Sequence, residues 1–533
     1  MKVNMGNFSG TWTLVRLILR RDRLILPGLF LFLVVMFFSI ATTFVNMYSD
    51  PASRAVMVLE ISNNPGAVAF LGSILNSSVG GLVAWRSAVI GPILVALVNI
   101  FLIIRHTRSE ERKGRLELLN SSTVGRQSAL TSALLTTFGA NILMGLIITL
   151  SLIGLGLPWE GSLAMGFSMT LFGCLFAAIA SLAAQLTENS SDVRYITVAV
   201  LIAFFLLRIV GWDNGEVAWL SWLSPLGWVH YLRAFAGEEW WVLGLFIVFT
   251  VYMLFWTYKL SSIRDVGNGF LPQRTGPARA SSTLGNVIGL AWRIHRKMLF
   301  FWIIAFIVMG VILGYNAQTM TNIFNNNPLF MSILSHMGNG AEPLDSYMTL
   351  MLLLFGQVFA IYGILAALKL RSEEVKKHSE FLLTNAVNRT RWAFSNIFFA
   401  LIGPAMLLVI FILSYSSIYG IYSGMNQDLS RLLSAVLIYL PAIWVMVGVA
   451  VALFGFAPRL TSLTWVVLGF FSIINFLADF LDISQWIINI SPFTHVPNLL
   501  LGDSVGFDPV LMIVVASVLI SMGLIGFKRR DIT

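Results

Sequence analysis

Arg108-Ser109-Glu110-Glu111 recurs as Arg371-Ser372-Glu373-Glu374, 263 positions further along the chain. The register holds beyond the tetrapeptide. Glu117 meets Glu380, Leu118-Leu119 meet Phe381-Leu382, and Arg126 meets Arg389. A spacing kept this long indicates two copies of one unit. Other landmarks agree, with small drifts in offset that loop insertions explain. Ser224-Pro225-Leu226 answers Ser491-Pro492-Phe493, and Arg264-Asp265-Val266 answers Arg530-Asp531-Ile532. Near the start of each copy, Arg20 and Arg23 answer Arg293 and Arg296.

Composition says where such a unit lives. Hydrophobic residues make up 57% of the chain and charged residues 11%, and mean hydropathy is +0.83. Soluble domains carry about 25% charged residues, so this is a membrane protein. Apolar runs long enough to cross roughly 30 Å of hydrocarbon as helices fall near 25–46, 87–104, 130–156, 162–184, 195–211 and 241–258. The second half adds 299–316, 347–368, 393–415, 432–456, 463–481 and 510–527. The predicted fold is therefore an all-α polytopic membrane protein of about twelve transmembrane helices, arranged as two tandem six-span repeats. Residues 1–265 form the first half, 266–286 a Gly-, Pro- and Ser-rich cytoplasmic linker, and 287–533 the second half.

A net charge of +9 raises nucleic acid as a partner, and charge placement argues against it. Of 34 Lys and Arg residues, all but Arg54, Arg86, Arg208, Arg233 and Arg431 fall on one side of this topology, with both termini. Positive charge is retained in the cytoplasm, so both ends are expected there. Each half opens with a basic amphipathic stretch that can lie among anionic lipid headgroups. Cys174 is the single cysteine, which excludes an intrachain disulfide and a cysteine-based metal site.

The segment after the second span of each half is the strongest functional candidate. Glu111 and Arg115 stand four apart, as do Glu373 and Lys377, a spacing that supports a charged helix. A loop that only satisfied the positive-inside rule would need Lys and Arg, not glutamates at fixed spacing in both halves. The reading is a short helix across the cytoplasmic surface, its carboxylates facing water and shaped to fit a partner's groove. Removing Glu110, Glu117, Glu373 or Glu380 should then cost the fold little. The chain has no Gly-Lys dipeptide, hence no phosphate-cradling G-x-x-x-x-G-K-[ST] loop. Nor is there an H-E-x-x-H helix or a G-x-S-x-G elbow, so neither catalytic residues nor a metal site are expected. Span interiors are almost free of Asp and Glu, whereas proton-driven carriers commonly use buried acidic relays. Arg208 is read as snorkelling toward the outer interface beside Trp212. Asn99, Gln357 and Asn475 either line a substrate path or bridge helices. Gly310-x-x-x-Gly314 permits close helix packing.

Arg105-His106-Thr107-Arg108-x-Glu110-Glu111, then Gly114-Arg115-Leu116-Glu117-Leu118-Leu119 and Val124-Gly125-Arg126, resemble the coupling segment of ABC-2-type exporter permeases. The likeness is strongest to the fused twelve-span group of polyketide-antibiotic exporters. Gly80-Gly81-Leu82-Val83-Ala84-Trp85-Arg86, Leu223-Ser224-Pro225-Leu226-Gly227-Trp228 and Arg529-Arg530-Asp531-Ile532 are similar to that group as well. The resemblance implies ABC-2-type architecture in a bacterial cytoplasmic membrane and export of small hydrophobic drugs, antibiotics or lipid-like molecules. It also implies a separate ABC ATPase, in two copies, that binds ATP and Mg²⁺. The ATPase-coupling residues would be Arg108, Glu110, Glu111, Glu117, Arg126, Arg371, Glu373, Glu374, Glu380 and Arg389. The second copy departs from the pattern, with Lys377 at the place of Gly114 and Ser379 at that of Leu116, so unequal coupling surfaces are expected. The alternative is an ion-gradient-driven carrier of major facilitator type, also six plus six. Its loop reads like G-x-x-x-D-R-x-G-R, and neither copy here fits.

Overall fold

The computed structural model describes residues 5–62, 68, 71–112, 114, 124–211, 218–265, 269–271, 285–326, 343–378, 382, 388–423, 428–477 and 485–530. Side chains at 318–326, 343, 473–477 and 487 are not among those described. The chain divides into two compact units, Met1–Gly276 and Pro277–Thr533. The dividing point falls within the stretch 266–286.

The first unit opens with α1 (Thr11–Arg21), whose buried Leu14, Val15 and Ile18 lie opposite exposed Arg16 and Arg20. Its spans are α2 (Ile25–Met47), α4 (Val79–His106), α6 (Ser128–Gly154), α7 (Trp159–Leu186), α8 (Ser190–Gly211) and α11 (Trp241–Ile263). Between them lie α3 (Pro51–Ser62), the short α5 (Arg108–Arg112), α9 (Trp219–Trp222) and α10 (Pro225–Tyr231). Pro225 occupies the first turn of α10, where its missing N–H costs nothing. The fourth span, α7, packs on α4, α6, α8 and α11 and is the most buried span of this unit.

The second unit holds α12 (Val287–Asn326), α13 (Pro343–Ala367), α14 (Lys369–Val375), α15 (Arg389–Ser423), α16 (Leu429–Leu437), α17 (Leu440–Phe456), α18 (Leu463–Leu477), α19 (Gln485–Ile488) and α20 (Asp508–Arg529). Among the described residues, eleven helices are long and apolar enough to cross a membrane, and Leu463–Ser472 is a shorter apolar helix where the eleventh of twelve spans was expected. The fold is that of an all-helical polytopic membrane protein, its helices satisfying backbone hydrogen bonds within themselves as hydrocarbon demands, apart from the carbonyls facing Pro92 and Pro404.

One difference between the copies has a visible cause. In the first unit the basic stretch and first span are separate helices, parted at Asp22, which lies outside helical geometry at φ −102°, ψ 24°. In the second unit both are one continuous helix of 40 residues, with His295 where the first copy has Asp22. Asp favours a break by competing for backbone hydrogen bonds, and here its carboxylate is turned to partners described below.

Small residues set the helix contacts. A Cβ at Gly145 of α6 would overlap Thr170 Oγ1 of α7, and a Cβ at Gly166 of α7 would overlap Thr149 Oγ1 of α6. This Gly-x-x-x-Thr pair, used once from each side, lets the two backbones approach as small-residue interfaces do in membranes. Gly310 and Gly314 sit against the backbone of Phe411 and Tyr415 in α15, as their spacing predicted. Gly91 and Gly403, each followed by a proline inside a continuous helix, leave room for the rings of Phe37 and Tyr362.

Candidate functional site

The motif that repeats in sequence closes the same circuit in both units. At the end of α4, the Thr107 hydroxyl bonds back to the Ile103 carbonyl at 2.6 Å, and its backbone turns out of the helix at φ −113°, ψ −90°. That turn directs Arg108 inward. Its buried guanidinium donates to the carbonyl of Ala184 in α7 and pairs with Glu111. Glu111 also accepts from Arg264, just past the end of α11, at 2.6 and 3.2 Å. Arg126 donates to the backbone carbonyl of Arg264. In the second unit Glu374 accepts from Arg530, just past α20, at 2.8 Å. Arg371 lies 3.4 Å from Glu374, and Arg389 donates to the carbonyl of Arg530 at 3.1 Å. The segment after the second span is thus latched, twice over, to the end of the sixth span of its own unit.

The expectation of water-facing carboxylates is corrected by this geometry. The Glu111 and Glu374 side chains are 9% and 1% exposed, because each is enclosed by two arginines rather than left for solvent. Glu110 is also shielded and pairs with Arg21 at 3.1 Å. Glu373 is buried against Lys376 at 3.4 Å and His378 at 2.9 Å. Glu117 and Glu380 lie outside the described residues. The Lys377 substitution noted in the sequence is absorbed by the backbone. Gly114 has φ +70° and Lys377 φ +60°, and their amides accept the same role, bonding to the carbonyls of Glu111 and Glu374 at 2.9 Å. The turn is the same in both units.

The first unit carries a further brace. Asp22, fully buried, receives both arms of Arg105 at 2.9 Å and lies 3.2 Å from His106. Burial favours the neutral acid, but the Arg105 hydrogen bonds, with His106 and Arg21 alongside, outweigh it and hold the carboxyl below the usual carboxylate range. In the second unit the matching His295 bonds to Asn396 at 3.1 Å and stacks on Phe399. The units therefore differ in how the first helix is fastened, not in the latch.

The path candidates fare differently. Asn99 is fully buried and exchanges amide hydrogen bonds with Asn141 of α6, at 3.1 and 2.7 Å; its amide bridges helices. Arg208 does not snorkel. It is fully buried and donates to the Leu71 carbonyl at 2.9 Å, because the chain before α4 folds over it and supplies the acceptor. Gln357 is half-buried in α13. Asn475 lies in α18, and its side chain is outside the described residues. Sequence reasoning missed Asp22, although a lone acid in a basic amphipathic stretch was the available signal.

The comparison with known proteins covers both latches. The chain is 34% identical over 532 residues to the multidrug efflux system permease protein Rv1217c of Mycobacterium tuberculosis (strain ATCC 25618 / H37Rv), spanning 99% of this chain and 96% of that protein. The chain belongs to the Rv1217c permease family. Residues 284–528 also match the C-terminal domain described for the multidrug efflux system permease Rv1217c. That match runs from before α12 nearly to the end of α20, and includes Glu373 and Glu374. Membership of the Rv1217c family identifies the chain as a transmembrane permease.

Proposed function

We propose that this chain is the membrane-spanning subunit of an ATP-driven ABC exporter, moving hydrophobic drugs, antibiotics or lipid-like molecules out of the cell. The duplicated latch carries the reading. Two equivalent surfaces, one per half, suit two copies of a separate ATPase that binds ATP and Mg²⁺; the permease itself hydrolyses nothing. The basic ends of both units face the cytoplasm, where the ATPase docks on α5 and α14. ATP-driven closure of the ATPase pair displaces these segments, and Glu111–Arg264 and Glu374–Arg530 pass the displacement to the sixth spans. The efflux role named for the M. tuberculosis relative, together with the resemblance to ABC-2-type exporters, supports the substrate class and direction.

The test is purification of the chain from its native membrane in mild detergent. The expected result is a co-purifying nucleotide-binding-cassette ATPase at about two copies per permease, with drug-stimulated hydrolysis in liposomes. Glu111→Gln and Glu374→Gln should uncouple drug stimulation from basal hydrolysis while the ATPase stays bound. Drug transport by the isolated chain on an ion gradient, with no ATPase present, would overturn the proposal in favour of a secondary carrier.

A further inference from the structure

A cavity of about 430 Å³ opens in the first unit at its basic end, between α4 and α8. Its volume is that of a small-molecule site, and its two ends differ in chemistry. Leu97, Ile100, Phe101 and Ile104 form one stripe of α4, at the spacing of a single helix face, and Val198 of α8 lies across from them. Toward the basic end the wall becomes Arg21, Arg105 and Arg194, with Ser109 and Glu110.

The charges around the cavity do not cancel. Arg105 is held by Asp22 and Arg21 by Glu110. The exposed Arg194 guanidinium, one helical turn from Val198 on α8, makes no hydrogen bond or ion pair among the described residues. Among the described residues, three arginines against two carboxylates leave one positive charge beside an apolar slot. A neutral drug would leave that charge without a counterion, a free phosphate would leave the apolar wall unused, and a cationic amphiphile would be repelled.

We infer that the cavity binds one anionic phospholipid, with its phosphate at Arg194 and Arg105 and an acyl chain along Leu97, Phe101 and Val198. The neighbouring α1, amphipathic and flanked by exposed Arg16, Arg20 and Arg23, lies at the level of the membrane surface where such a headgroup is available. Lipid binding here needs neither ATP nor an ATPase, so it stands or fails independently of the exporter reading.

Native mass spectrometry of the full chain in detergent tests it, with phosphatidylglycerol and phosphatidylcholine of matched acyl chains as probes. The expected result is a single retained phosphatidylglycerol, held about tenfold more tightly than phosphatidylcholine. Arg194→Gln should abolish the preference and Arg194→Lys should keep it. Val198→Trp, which fills the slot without altering charge, should weaken both lipids. Millimolar inorganic phosphate should not displace the lipid. Because Arg194 is exposed, the Gln and Lys variants should keep the wild-type melting temperature; if Val198→Trp fails to fold, that pair still decides. Equal retention of the two lipids would overturn the inference. So would an unchanged preference in Arg194→Gln, which would mark diffuse attraction to the basic surface. Displacement by phosphate alone would do the same, marking a simple anion site.

Discussion

Lys377 shows how a single residue meets a backbone demand that its sequence conceals. The turn after the second span needs left-handed geometry, which Gly114 adopts freely and a side chain adopts at a cost of roughly 1–2 kcal/mol. Lys377 takes that geometry at φ +60° with its side chain exposed, and among the described residues that side chain makes no hydrogen bond or ion pair to offset the cost. Lys377→Gly should therefore stabilise the protein by up to about 1 kcal/mol, the greater freedom of glycine in the unfolded chain taking back part of the gain. Gly114→Lys should destabilise by a similar amount. Thermal melts of both variants in one detergent check this, and a lower midpoint for Lys377→Gly would show that the side chain is needed. His230, at the opposite end of the first unit, gives a pH prediction. It is buried and donates Nε2–H to the Ser73 carbonyl at 3.0 Å. Burial first, then Arg208, push its pKa down to about 3, while the Ser73 bond works the other way. With the folded value below the unfolded 6.5, the unfolded chain takes up the proton first. Stability is complete above pH 6.5 and is lost as pH falls toward 3. Between pH 7.5 and 5 this residue alone should cost about 2 kcal/mol, so His230→Gln should flatten the decline of melting temperature over that range. An identical decline in the variant would remove His230 from the account.

At the scale of elements, the latch decides what the repeated motif is for. Glu111 reaches an arginine 153 positions away, and Glu374 one 156 positions away. Local spacing reveals that a glutamate recurs, but not that its partner ends the sixth span. The echo of Arg264-Asp265 in Arg530-Asp531 was visible as a landmark, yet no helical periodicity connects it to the glutamates, so the carboxylates read as solvent-facing. Eleven of the twelve expected spans were legible because hydrocarbon imposes length and apolarity on each, while the eleventh in order, expected over 463–481, is a shorter apolar helix among the described residues. The break at Asp22 and the burial of Arg208 were not legible. Each depends on an acceptor or donor brought in from a distant segment, such as the Leu71 carbonyl. A buried ion pair loses several kcal/mol when one partner is removed and much less when both are replaced together. Glu111→Gln and Arg264→Gln should thus each lower the melting temperature clearly, while the double variant should be far less impaired than their sum, with a coupling of at least about 1 kcal/mol. Glu374→Gln with Arg530→Gln should repeat the pattern. Additive losses in both cycles would show that the pairs are proximity without energetic linkage.

For the whole molecule, the repeat makes a topological demand. In each unit taken alone, the latch brings the segment after the second span to the end of the sixth, so these two points share one membrane face. In the first unit the starting segment joins them, because the amides of Gly125 and Gln127 bond to the carbonyls of Ser9 and Asn7. Six spans, an even number, should return the chain to the face where it began, and a second unit of the same kind is then expected to start on that face too. Inverted repeats require an odd number of spans per copy. The positive-inside rule predicts that the basic end of each unit lies in the cytoplasm. Arg112 and Val375 hold matching positions in the two motifs, and both are exposed. With the buried Cys174 replaced by alanine, Arg112→Cys and Val375→Cys should each resist a membrane-impermeant thiol reagent added to intact cells and react in inverted vesicles. Val505→Cys, between α18 and the start of α20 and 63% exposed, should show the opposite behaviour. Labelling of Arg112→Cys and Val375→Cys from different faces would mean that the two halves are not parallel copies. Two equivalent docking surfaces on one side of the membrane would then be impossible.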